Sequence, residues 1–136
     1  MIEETQDLAA CHALRRAVFI EEQGIAEAEE WDDLDSAAVH LLARDGADPL
    51  GTARLFIQGA LGKIGRVCVA RRARGTGLGA ALIEAGCARL AQAGCTEAQL
   101  GAQLQAIPFY EKLGFVAFGP VYDDAGIPHR DMRRPL

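Results

Sequence analysis

Residues 66–81, Arg-Val-Cys-Val-Ala-Arg-Arg-Ala-Arg-Gly-Thr-Gly-Leu-Gly-Ala-Ala, constrain this chain more than any other stretch. An apolar run that reads as a strand ends near Ala70, a basic turn follows, and Gly75, Gly77 and Gly79 then stand two apart. The clearest helix comes next, over 77–93. Its Gly79, Leu82, Ile83, Gly86, Leu90 and Ala93 fall on one side, with Glu84 and Gln92 roughly opposite, and Gly94 ends it. Strand, glycine turn and helix N-terminus together make an anion cradle. Glycine lets backbone N–H groups come close, and the helix dipole favours negative charge. The arrangement suits a pyrophosphate, although on its own it also serves as a tight turn. A phosphate-binding P-loop is excluded because no Gly-Lys-Ser/Thr follows, and the dinucleotide pattern does not fit these glycines in register.

Around this landmark the pattern alternates between strands and helices. Asp7 is placed to cap a helix running to about Ile20, in which Leu8, Cys11, Leu14, Ala17 and Val18 recur at helical spacing. Residues 21–35 read as a loop with short helical turns. Strands are predicted over 39–44, 50–58, 63–70, 96–102, 115–118 and 129–134, with a short helix over 108–113 that has Pro108 in its first turn. A mixed sheet with helices follows, an α/β or α+β domain. The 136 residues suit a single domain spanning 1–136, without repeats or linkers.

The net charge of −5 conceals two opposed stretches. Between Glu21 and Asp35 lie eight acids and no base; between Pro49 and Ile83 lie six bases and no acid. The first suits a cation and the second an anion, unless both are merely solvated faces. Nucleic-acid binding is disfavoured, because the whole chain is acidic and its few aromatics are not interleaved with the bases. No apolar run approaches the roughly 18 residues of a membrane span, and the acidic N-terminus shows no export signal. Cys11, Cys68, Cys87 and Cys95 match no zinc or redox spacing and read as reduced structural residues, which points to the cytoplasm.

Two ordered blocks resemble the GNAT acyltransferases. Arg74-Gly75-Thr76-Gly77-Leu78-Gly79 matches the family's Gln/Arg-x-x-Gly-x-Gly/Ala signature. The run from Gln103 to Phe115 is similar to its Asn-x-x-Ala-x-x-Phe-Tyr-x-x-x-Gly-Phe, with Gln103 where the family has asparagine. Further stretches resemble the small bacterial ElaA/YjcF type: 16–23, Asp32 with Asp35 and His40, 51–55, and Gly126-Ile127-Pro128-His129 followed by Met132.

The resemblance implies a GNAT-like domain with a central mixed, mostly antiparallel sheet flanked by helices. The activity it implies is direct transfer of an acetyl group from acetyl-coenzyme A to a primary amine, without a covalent acyl-enzyme and without a metal. The backbone of Val67, Cys68 and Val69 would pair with the pantetheine arm. The amides of Arg74, Gly75, Thr76, Gly77, Leu78, Gly79 and Ala80 would hold the pyrophosphate, with the Arg71 and Arg72 side chains screening it. Gln103 and Phe109 belong to the same binding block. Tyr110 matches the tyrosine near the coenzyme sulfur; a phenol has a pKa of about 10 and suits protonation of the leaving thiolate. The candidates for the base are Glu22, favoured by its Glu-x-Gln context, with Glu21 and His40; His129 is a candidate lining of the acceptor cleft. The acids from Glu21 to Asp35 form a rim for a cationic acceptor, with Trp31 beneath it. Only Ile2–Thr5 remain for the family's opening strand, so that edge is either short or completed in a homodimer. A second reading keeps coenzyme A binding without catalysis, as a sensor or partner module.

Overall fold

The computed structural model describes residues 1–136. Seven strands form one sheet: β1 (Ile2–Thr5), β2 (Val39–Asp45), β3 (Asp48–Gln58), β4 (Leu61–Val69), β5 (Glu97–Gln103), β6 (Val116–Asp124) and β7 (Ile127–Pro135), in the spatial order β1-β2-β3-β4-β5-β7-β6. Every neighbouring pair is antiparallel except β4 and β5. The helices are α1 (Leu8–Arg15), α2 (Glu27–Glu30), α3 (Leu78–Gln92) and α4 (Ile107–Lys112). This is the mixed, mostly antiparallel α+β sheet expected from the sequence. No helix is long and apolar enough to cross a membrane.

Alternation along the strands separates two cores. In β2, Leu41 and Ala43 point to the face covered by α3, and Leu42 points to the face covered by α1. On the α3 side, Leu82, Ile83 and Leu90 are fully buried with Leu55, Ile64, Ala98, Phe115 and Met132. Burial of each large side chain there contributes about 2 kcal/mol. The fit is close: a Cβ on Gly62 would stand 2.6 Å from Leu90 Cδ1, so glycine at that strand position lets α3 lie flat. On the α1 side, Cys11, Leu14 and Val18 meet Leu42, Cys68 and Ala70. All four cysteines are buried and free.

Asp7 caps α1 as expected, accepting from the Ala10 amide at 3.1 Å. The helix runs further than the expected end near Ile20, because its second half, Arg16–Glu22, is wound as a wider π-helical stretch closed by Gln23 N–H on Val18 O. Apolar spacing alone does not distinguish the two windings. β6 extends to Asp124, past the expected end at Phe118. Gly119-Pro120 reads as a stop, but this is an edge strand, and the register simply shifts between Phe118 and Tyr122. Residues 2–5 do form a strand, paired to Ala43–His40 of β2.

Candidate active site

The site grows out of the one parallel pair. β4 and β5 are in register only from Leu61↔Glu97 to Lys63↔Gln99; beyond that they are no longer paired. On its other side β4 carries a bulge. Thr52 pairs with Cys68 but Arg54 pairs with Gly65, which leaves an extra residue in β4, and Arg66 there adopts φ +50°. A non-glycine residue in that region is strained, and a bulge of this kind turns a strand away from its neighbour. A cavity of about 390 Å³ occupies the resulting gap. Val67 of β4, Gln103 of β5, Tyr110 of α4 and His129 of β7 line it together, and Phe19 and Gln23 close it from the α1 side.

At the end of β4 the chain turns through Arg71–Ala73 into the glycine loop. Gly75 and Gly77 take φ +77° and +83°, with open space where a Cβ would stand. Gly77 is also the N-cap of α3 and offers no side chain to its first amides, so they remain available. Thr76 Oγ1 donates to Ala73 O at 2.6 Å and fixes the turn. Gly79 lies under Phe109, whose Cζ would be 3.6 Å from a Cβ there, and so the loop is joined to α4. The bare, open amides at a helix start fit a phosphate group.

Tyr110 sits between Phe109 and Phe115, at ring distances of 5.0 and 6.0 Å, both edge-on. Burial alone raises the pKa of its hydroxyl, so the proton stays on at neutral pH. Gln103 donates to Gln23 Oε1 at 3.1 Å and accepts from Gln105 at 2.6 Å; in place of asparagine, its longer amide bridges β5 to the end of the π-helical stretch.

The base candidates are scattered. Glu22 lies outside the Tyr110 cavity, beside a separate groove of about 810 Å³ between α1 and Arg71–Arg72. Arg74 grips it bidentately at 2.6 and 2.8 Å, and Arg71 approaches to 3.7 Å. The Arg74 hydrogen bond is the main reason its pKa is lowered, which makes it a weaker base. Glu21 lines the same groove. His40 is buried in β2, where Nε2–H donates to Asp35 O at 2.8 Å, and it faces none of these cavities. Only His129 of the histidines reaches the Tyr110 cavity.

The opposed charge stretches largely consume each other. Arg15, 1% exposed, binds Glu30 at 2.9 Å and Asp35 at 3.0 Å. Arg54 binds Asp32 at 2.8 Å and Asp35 at 3.0 Å, and Arg66 reaches Glu30 at 3.1 Å. The acids are therefore mainly a clasp that holds 30–35 against α1, β3 and β4. Trp31 belongs to the clasp, with the Arg15 and Arg16 guanidinium groups over its ring at 5.2 and 5.6 Å. Of the acid stretch, Glu29 and Glu30 line the cavity, and Asp124 joins them from the β6–β7 turn. Neither Tyr122 nor Asp124 stands out in the sequence, and Arg66 does so only as one of the six bases. The Asp-Asp-Ala-Gly hairpin turn is the signal for the first two, obscured by the expected strand end at Phe118.

Comparison with known proteins agrees with this architecture. The model of the acetyltransferase (GNAT) domain family matches residues 6–136. An uncharacterized N-acetyltransferase of Bacillus subtilis, YjcF, is 36% identical over 122 residues, 89% of this chain and 87% of the relative. The structure of an acyl-CoA N-acyltransferase from Pseudomonas aeruginosa superposes with a TM-score of 0.87 at 32% identity, covering 98% of this chain and 97% of that one. Escherichia coli ElaA superposes with a TM-score of 0.82 at 28% identity, covering 98% and 99%. This chain belongs to the GNAT family and is an acetyltransferase of the ElaA/YjcF type.

Proposed function

We propose that the protein transfers an acetyl group from acetyl-coenzyme A to a primary amine by direct attack, as a single catalytic domain acting in the cytoplasm. The observation that carries this reading is the continuity of one path. The open glycine turn at the start of α3 leads along the unpaired edge of β4 into the cavity that holds Tyr110. The name of the Pseudomonas relative, an acyl-CoA N-acyltransferase, supports the same reading. In this reading the amides from Arg74 to Ala80 hold the pyrophosphate, and the pantetheine arm takes the place of the missing β5 partner along the backbone of Val67, Cys68 and Val69. Gln103 and Phe109 wall the arm.

The chemistry asks little of the chain. Backbone N–H groups near the β4 bulge stabilise the charge that develops on the thioester oxygen. Tyr110 donates its proton to the departing thiolate sulfur. Glu29 and Asp124 at the cavity favour a cationic amine over an acidic acceptor. The test is thiol release from acetyl-coenzyme A across a panel of polyamines, amino sugars and lysine peptides. Acceleration by at least one cationic amine supports the reading. Tight coenzyme binding without thiol release for any of them favours a binding module instead.

A further inference from the structure

We infer that His129 is the group that takes the proton from the incoming ammonium; this rests on the reading of the β4–β5 cleft as an acyl-transfer site. Its Nδ1 lies 2.7 Å from Ile127 O. A carbonyl only accepts, so Nδ1 carries the hydrogen in the neutral ring and Nε2 keeps a lone pair. Tyr122 fixes the plane of that ring. The two rings are cross-strand partners and stack at 5.9 Å and 23°, while the Tyr122 hydroxyl donates to Asp131 Oδ1 at 2.8 Å. Tyr122 in turn rests against Gly101 of β5, where any Cβ would collide with its hydroxyl. An imidazole held in one tautomer and one orientation, in the cavity that contains Tyr110, is the arrangement proton abstraction requires.

The other titratable groups around the cavity are less suited. Glu30 is gripped by Arg15 and Arg66. Tyr122 has its pKa raised, by burial first and then by Asp131, so it stays a phenol. Asp131 is occupied by that phenol, and Tyr110 serves the sulfur. Glu29 and Asp124 are exposed, placed to attract an ammonium rather than to strip it.

The step balances. His129 Nε2 takes one proton from R–NH3+ and passes it to solvent. The freed nitrogen pair forms the C–N bond as the C–S bond breaks. Tyr110 protonates the sulfur, and the second proton of the new ammonium restores Tyr110.

The experiment compares His129→Ala and His129→Gln with the wild type, using two acceptors of the same carbon–nitrogen skeleton at neutral pH. Ethylamine is almost entirely ammonium there, and 2,2,2-trifluoroethylamine is mostly neutral and needs no base. Both variants should bind acetyl-coenzyme A as the wild type does. They should lose about 10²–10³-fold with ethylamine and far less with trifluoroethylamine, and added imidazole should restore part of the His129→Ala rate. Equal loss with both amines and no rescue, undiminished rates, or unfolding of both variants would each overturn the assignment to proton transfer. A wild type that binds acetyl-coenzyme A yet releases thiol with neither amine nor with any polyamine, amino sugar or lysine peptide would contradict the transfer reading itself, and the role of His129 with it.

Discussion

Tyr110 illustrates how position decides chemistry at the scale of one residue. Its ring is part of the core contact with Phe109 and Phe115, so replacement by phenylalanine removes the hydroxyl and almost nothing else. Tyr110→Phe should fold normally and bind acetyl-coenzyme A unchanged, while kcat falls by about 10²-fold. Because burial raises the phenol pKa, the wild-type rate should not decline through loss of this proton until the pH exceeds about 10. Glu22 gives the complementary case. Its carboxylate is spent on Arg74, so Glu22→Gln should leave kcat within about tenfold of wild type and mainly raise KM for the coenzyme by loosening the loop. A loss of kcat as large as that expected for Tyr110→Phe would assign the base to Glu22.

At the scale of elements, the decisive junction is the turn from β4 into α3. Gly77 combines φ +83° with the N-cap position, so Gly77→Ala should cost about 1–2 kcal/mol in thermal unfolding. Coenzyme affinity should fall at the same time, since the amides after it would shift. This junction was legible from the sequence because both of its signals are local: glycines for the turn, apolar periodicity for the helix. The Gln103–Phe115 block was legible for the same reason. The base was not, for which the sequence offers Glu22, Glu21 and His40, with His129 only as a lining of the acceptor cleft. His129 lies far from the others in sequence, and only pairing across strands puts it opposite Gln103 and Tyr122. The same limit hid the fate of the acids from Glu21 to Asp35, which look like an open rim until Arg15, Arg54 and Arg66 are brought to them from α1, β3 and β4.

The whole molecule is held in its working shape by that clasp. Asp35 is partly buried, which alone would raise its pKa, yet hydrogen bonds from His12, Arg54 and Arg15 hold it far below the usual carboxylate range. Asp32 is lowered too, chiefly by Arg54. A carboxylate depressed on folding contributes stability above its unfolded pKa near 4 and loses it as pH falls toward the folded value. The melting temperature should therefore drop below about pH 4. Asp35→Asn should flatten that dependence and cost about 3 kcal/mol at neutral pH, because Arg15 and Arg54 would be left short of countercharge. As the clasp holds α2 beside the cavity, the variant should also raise KM for the amine more than KM for the coenzyme.

Occupation of the glycine turn and the β4–β5 gap by an acyl-coenzyme A is measured by titrating the protein with acetyl-coenzyme A, free coenzyme A and ATP while following the melting temperature. A ligand that binds only the folded state stabilises it by about 2.7 kcal/mol at a hundredfold excess over Kd. A saturable rise of several degrees with both coenzyme forms, and little with ATP, is the expected result. No rise with acetyl-coenzyme A at millimolar concentration, or an equal rise with ATP, would contradict it.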